Sequence, residues 1–167
     1  MKNRKLYITL LLPVLWMYSC TDDGAGEVEV DTIKPTIDLS IDGAFPAPCD
    51  TLYFGEPFVV KALLSDNAEL GSYSIDIHDN FDHHTHTTEL EECDLDPVKS
   101  ADNAFKFIQS YDIPEASLSY TTEQTLTIPE QDGLEKYDEG DYHFQIRVTD
   151  KEGWSTMKGY GVKILRR

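Results

Sequence analysis

The sequence predicts an all-β fold, a β-sandwich of about seven short strands. Three observations carry the prediction. Apolar and polar residues alternate at period two in one segment after another. Turn-forming Gly, Pro, Asp and Asn separate these segments. No long stretch repeats its apolar residues at helical spacing. The 167 residues suffice for one domain with a real core and fall short of two.

Taken in order, residues 1–19 read as a secretory leader. Lys2, Arg4 and Lys5 form a basic start, and Leu6 to Tyr18 form an apolar run too short to span a bilayer. The run ends at Ser19-Cys20, which resembles the lipobox of bacterial lipoproteins, with Met17 in place of the usual Leu. That resemblance implies cleavage before Cys20 and lipidation of it, and several acyl chains on one residue anchor stably. Residues 20–31, acidic and rich in small side chains, read as a flexible tether. Acidic residues directly after such a cysteine resemble the surface-export signal of Bacteroidota lipoproteins. The resemblance implies an outer-membrane anchor, with display on the cell surface preferred over the periplasmic face.

The sandwich is expected over residues 32–167. Thr36 to Ile41 alternates after Pro35, a residue tolerated at a strand start. Phe58 to Leu64 follows the turn signal Gly55-Glu56-Pro57, and Asp66-Asn67 marks the next turn. Tyr73 to His78 is a third strand with Tyr73, Ile75 and Ile77 on one face. Phe105 to Ile108 and Gln124 to Ile128 are shorter candidates. Asp141 to Asp150 points Tyr142, Phe144, Ile146 and Val148 inward, Lys151-Glu152-Gly153 turns, and Trp154 to Leu165 returns.

The stretch from Gly140-Asp141-Tyr142 through Val148-Thr149-Asp150-Lys151-Glu152-Gly153-Trp154 resembles the closing hairpin of bacterial immunoglobulin-like domains, which makes the expected sandwich immunoglobulin-like. The chain also resembles an uncharacterised family of Bacteroidota lipoproteins. The matching parts are Phe54-Gly55-Glu56-Pro57-Phe58, Ser65-Asp66-Asn67 and His78-Asp79-Asn80-Phe81-Asp82-His83-His84. This second likeness implies an address and a fold, and no activity.

The formal charge is −17, and about −20 once the three basic leader residues are set aside. Such a surface repels nucleic acid and anionic membrane, so neither is expected as a partner beyond the lipid anchor itself. Of the three cysteines, Cys20 belongs to the leader junction. Cys49 and Cys93 remain as an even pair in an exported chain, for which a disulfide is the default and two free thiols the alternative. The bond closes a loop worth about 4 kcal/mol on the chain-entropy argument.

Four of the five histidines, His78, His83, His84 and His86, lie within nine residues among aspartates. Neutral imidazole ligates zinc, copper, nickel and iron, and carboxylates complete such sets. Asp76 and His78 share one strand face, and so can His84 and His86. If the chain turns over Asp79 to His83 and returns as a hairpin, His78 faces His84 and Asp76 faces His86. A loop one residue shorter puts His78 opposite His83 instead. The expected metal set is therefore His78, His84 and His86, with Asp76 or His83 assisting. A solvated polar loop is the competing reading. His143 reads as a strand residue on the solvent face.

Calcium ranks second among cations. Asp66-Asn67, Asp102-Asn103 and Asp150 to Gly153 are turn-like oxygen donors, yet none has the spacing of a known calcium loop, and turn chemistry accounts for them. No nucleophile elbow, zincin motif or phosphate-cradling loop is present, so a non-catalytic protein is expected. The first functional expectation is metal capture, or delivery to an outer-membrane transporter. The second is a structural or adhesive module that binds glycan or protein.

Overall fold

A computed structural model describes residues 30–85 and 93–167. The leader, Cys20, nearly all of the tether and His86 lie outside the described residues. Within them the fold is all-β, with twelve strands and no helix.

The largest sheet has five strands in the order β2-β12-β11-β5-β6. These are β2 (Thr51–Tyr53), β5 (Leu70–Asp79), β6 (Phe107–Asp112), β11 (Gly140–Asp150) and β12 (Ser155–Leu165). Only β2 runs parallel to its neighbour. A three-stranded sheet orders β1 (Thr36–Asp38), β4 (Leu63–Ser65) and β7 (Ser119–Thr121) as β1-β4-β7. Strands β3 (Pro57–Val60) and β8 (Gln124–Thr127) form a pair, as do β9 (Gln131–Asp132) and β10 (Glu135–Lys136).

One buried apolar cluster joins the large sheet to the small ones, giving a sandwich-like arrangement. The alternation read from the sequence decides which face enters it. Tyr73, Ile75 and Ile77 of β5, and Tyr142, Phe144, Ile146 and Val148 of β11, are all at most 4% exposed. They meet Tyr160, Val162 and Ile164 of β12 and, from the small sheets, Ile37, Val60 and Leu64. Phe144 and Tyr160 lie opposite one another in register and stack with ring centroids 5.6 Å apart.

Strand number differs from expectation: twelve short strands replace about seven. Most of the excess is in two- and three-residue strands such as β2, β7, β9 and β10, which are too short to show alternation. The remainder comes from a division within Phe58 to Leu64, expected as one strand. At Lys61-Ala62 the chain leaves the β3–β8 pair and joins the β1-β4-β7 sheet. Buried Thr122 covers the break, its hydroxyl accepting from Ala62 N–H at 2.9 Å and donating to the Val60 carbonyl at 3.0 Å. The expected disulfide joins Cys49 to Cys93.

Candidate metal centre

Because β5 and β11 send alternate residues to the core, the residues between them share the opposite face of the large sheet. On β5 these are Asp76 and His78, and on β11 they are Asp141, His143 and Gln145. The antiparallel register sets His143 directly opposite His78 and Gln145 opposite Asp76. One strand further, the positions in line with His143 and Gln145 are Gly161 and Gly159. No side chain rises there, which lets another piece of chain descend onto the sheet.

Two described stretches make that cover. After β5, Asn80 N–H donates to the Asp141 carbonyl at 2.9 Å. Phe81 then buries edge-on against Tyr142, 5.2 Å between centroids, with the Lys99 ammonium 4.1 Å over its ring. His83 adopts a left-handed φ of 60°, reversing the chain so that His84 falls back over the sheet. The second stretch begins at Cys93, whose sulfur seats over Gly161 and is tied to Cys49; Cys49 N–H in turn donates to the Gly161 carbonyl at 2.8 Å. It continues through Asp96, whose N–H donates to Asp141 at 2.7 Å and whose carboxylate meets Lys163 at 2.5 Å. Lys163 also reaches Asp141 at 3.4 Å. Burial acts to lower the Lys163 ammonium, but its hydrogen bond to Asp96 and the charge of Asp141 outweigh that and hold it above its ordinary value.

Under this cover the imidazoles of His78, His84 and His143 converge. One ring nitrogen from each lies within 4.8 Å of the other two. The ring centroids are 5.7 Å apart for His78–His84, 5.3 Å for His78–His143 and 4.9 Å for His84–His143. Asp76 Oδ1 accepts from His78 Nδ1 at 2.7 Å, and Asp82 Oδ1 from His84 Nδ1 at 2.5 Å. The bond to His84 holds the Asp82 carboxyl below its usual range. His143 is 1% exposed and its Nε2–H donates to the His84 carbonyl at 3.0 Å. His78 and His84 remain partly open, so the group forms a half-covered cup, with a groove lined by Lys106, Phe107 and Ile108 beside His78.

The sequence-based set is thus rearranged. His78 and His84 come together, though among the described residues no return strand follows the turn: residues 83–85 are irregular, and β5 pairs with β6 and β11. Asp76 stands behind His78 as its hydrogen-bond acceptor. His83 faces away from the cup, its Nε2–H donating to the Asp96 carbonyl at 2.8 Å. His86 lies outside the described residues. His143, expected on a solvent face, is buried and is the third member. Its parity marked it as sharing a face with His78 only if β11 adjoins β5, a pairing across more than sixty residues of sequence that alternation alone does not reveal. Asp82, an acidic residue of the same histidine-rich segment, orients His84.

Among curated proteins, no sequence matches this chain. A family model described as a domain of unknown function (DUF4625) matches residues 18–165, from just ahead of Cys20 to the end of β12. By that match the chain belongs to the DUF4625 family.

Proposed function

We propose that this protein is a non-catalytic, lipid-anchored protein of the bacterial cell envelope that binds one transition-metal ion through His78, His84 and His143. The observation that carries the reading is the convergence of three imidazoles, two of them backed by a carboxylate. A carboxylate or carbonyl behind each ring is the outer-shell pattern that fixes a ligating tautomer and raises its basicity. With Nδ1–H directed to Asp76 and Asp82, the lone pairs of His78 and His84 are on Nε2. With Nε2–H directed to the His84 carbonyl, that of His143 is on Nδ1.

Three neutral nitrogens suit zinc, copper or nickel, and a fourth ligand would complete the set. The anchor at Cys20 and the acidic tether support capture or hand-over at the membrane, with an outer-membrane transporter as the partner class. Among the described residues nothing in the cup adds a nucleophile, which favours carriage over turnover.

The test is metal content by mass spectrometry on the full chain, purified in detergent without a histidine tag and incubated with equimolar zinc, copper, nickel and iron. We expect one equivalent of a single metal to be retained, and to be lost in His143→Ala. Asp76→Asn, which keeps the ring but removes its anionic acceptor, weakens binding about 10- to 100-fold. Acidification toward pH 5 releases the ion, because protons compete for the same lone pairs. A folded protein that keeps no metal after desalting sinks the reading.

A further inference from the structure

At the other end of β11 three carboxylates meet. One oxygen from each of Asp31, Asp66 and Asp150 lies within 4.8 Å of the others. Acidic clusters on protein surfaces are common, so the grouping alone carries nothing. What distinguishes this one is how each carboxylate is held. Asp31 Oδ1 accepts from Ile33 N–H and from Asn67 Nδ2, at 3.0 and 2.9 Å. Asp66 Oδ2 accepts from Ala68 and Glu69 N–H, both at 2.9 Å. Asp150 Oδ1 accepts from Trp154 N–H at 2.8 Å. In every case the second oxygen is shut off from solvent with no hydrogen-bond donor among the described residues: Asp31 Oδ2, Asp66 Oδ1 and Asp150 Oδ2.

Asp150 makes the case sharpest. It is only 4% exposed, and a buried carboxylate oxygen with no donor, beside two further carboxylates, is strongly unfavourable unless a cation compensates it. Its placement is specified by the fold. The β5–β11 register shifts between Thr149 and Asp150, which re-aims the side chain. Opposite the shift stands Gly71, where a Cβ would lie 2.9 Å from the Asp150 carbonyl oxygen, so only glycine lets the strands close.

We propose that Asp31, Asp66 and Asp150 bind a calcium ion. Three oxygens no more than 4.8 Å apart admit a centre within about 2.8 Å of all of them, within reach of the 2.3–2.6 Å distances and flexible oxygen coordination that calcium takes. An all-oxygen, triply anionic set also selects a hard cation over the metals that prefer imidazole. The ion joins three separate pieces of chain: the tether's last residue, the turn after β4 and the β11–β12 hairpin. The Trp154 indole N–H already donates to the Asp31 carbonyl at 3.0 Å, so the hairpin is positioned to receive the tether. Calcium binding therefore fixes the direction in which the domain leaves its anchor. Asp150 is seven residues from His143, about 23 Å along an extended strand, so the two sites act independently.

The experiment is a calcium chloride titration of the chelator-stripped full chain in detergent, followed by thermal melting and equilibrium dialysis. One equivalent of calcium binds in the range of about 10⁻⁴–10⁻³ M typical of extracellular modules, and the melting temperature rises by several degrees. Asp150→Asn abolishes both effects. Should that variant not fold, Asp31→Asn, outside every strand, abolishes them in a folded chain. His143→Ala leaves the calcium response intact, so failure of the transition-metal reading is told apart from failure of this one. No melting shift up to about 10 mM calcium, an order of magnitude above that range, overturns the proposal, as does an Asp31→Asn chain with the unaltered response.

Discussion

At the scale of single residues, the core spends three tyrosines where apolar rings would have served. Burial pushes the Tyr73 hydroxyl up to about 12, with Tyr120 and Tyr111 adding to it, and raises those of Tyr142 and Tyr160 as well. Tyr160 O–H donates to the Pro46 carbonyl at 2.7 Å and Tyr142 O–H to that of Asp138 at 2.6 Å. A tyrosine whose folded-state pKa lies above its unfolded value near 10 binds its proton more tightly when folded. Its contribution is therefore complete below about pH 10 and disappears as the pH climbs through the folded value. The denaturant midpoint should stay level up to about pH 10 and fall steeply between 10 and 12. Tyr160→Phe should lower the unfolding free energy at neutral pH by about 1 kcal/mol, the worth of one hydrogen bond, and flatten the alkaline fall. A midpoint independent of pH across that interval would contradict the assignment.

At the scale of elements, parity was legible in the sequence and partnership was not. Tyr73-Ser74-Ile75-Asp76-Ile77-His78 states by its alternation that isoleucines go in and that Asp76 and His78 go out, and the strand does so. Asp141 to Asp150 states the same for its own residues. Which outward residues become neighbours depends on hydrogen-bonded pairing between strands distant in sequence, and that is decided by the whole core rather than by either segment. The break at Lys61-Ala62 was hidden for a related reason, since Phe58 to Leu64 is uniformly apolar apart from Lys61. What divides it is a hydroxyl from Thr122, sixty residues away from Ala62. Thr122→Val keeps the shape and removes the hydroxyl, leaving Ala62 N–H buried without an acceptor. We expect a loss of about 1–3 kcal/mol in equilibrium unfolding, with Thr122→Ser, which retains the oxygen, losing less. Equal losses in the two variants would show that the methyl group, which serine lacks, matters as much as the hydroxyl at the crossing.

At the scale of the whole molecule, the large sheet is a rigid ruler with a different chemistry at each end. Near its Asp79–Gly140 end are the three imidazoles, two backed by carboxylates. At its Leu70–Asp150 end are oxygen donors, next to the point where the tether joins. The net charge of −17 concentrates cations around both. Read from the sequence, the candidate ligands lie in one histidine-rich segment; the fold draws the converging imidazoles from two. Two of the three converging imidazoles come from that segment and the third from β11, so the cup is a tertiary object that exists only when the cover is seated.

That cover is held by the Cys49–Cys93 bond more than by its own apolar surface, since Phe81 is its one deeply buried large side chain among the described residues. On the function proposed above, the bond would act as a compartment lock. In a reducing cytoplasm the thiols would stay apart and the second cover stretch would lose its tie to Cys49, so an internal metal pool would meet an unfinished cup. Oxidation after the proposed export would complete it. A thiol reductant, or Cys93→Ser, should accordingly lower metal affinity at least tenfold while the sheet remains folded by circular dichroism. Unchanged affinity in the reduced protein would show that the cover seats itself without the bond. A tenfold loss would instead set the order of events as oxidise first and load second, with the proposed site closed to cytoplasmic metal throughout synthesis.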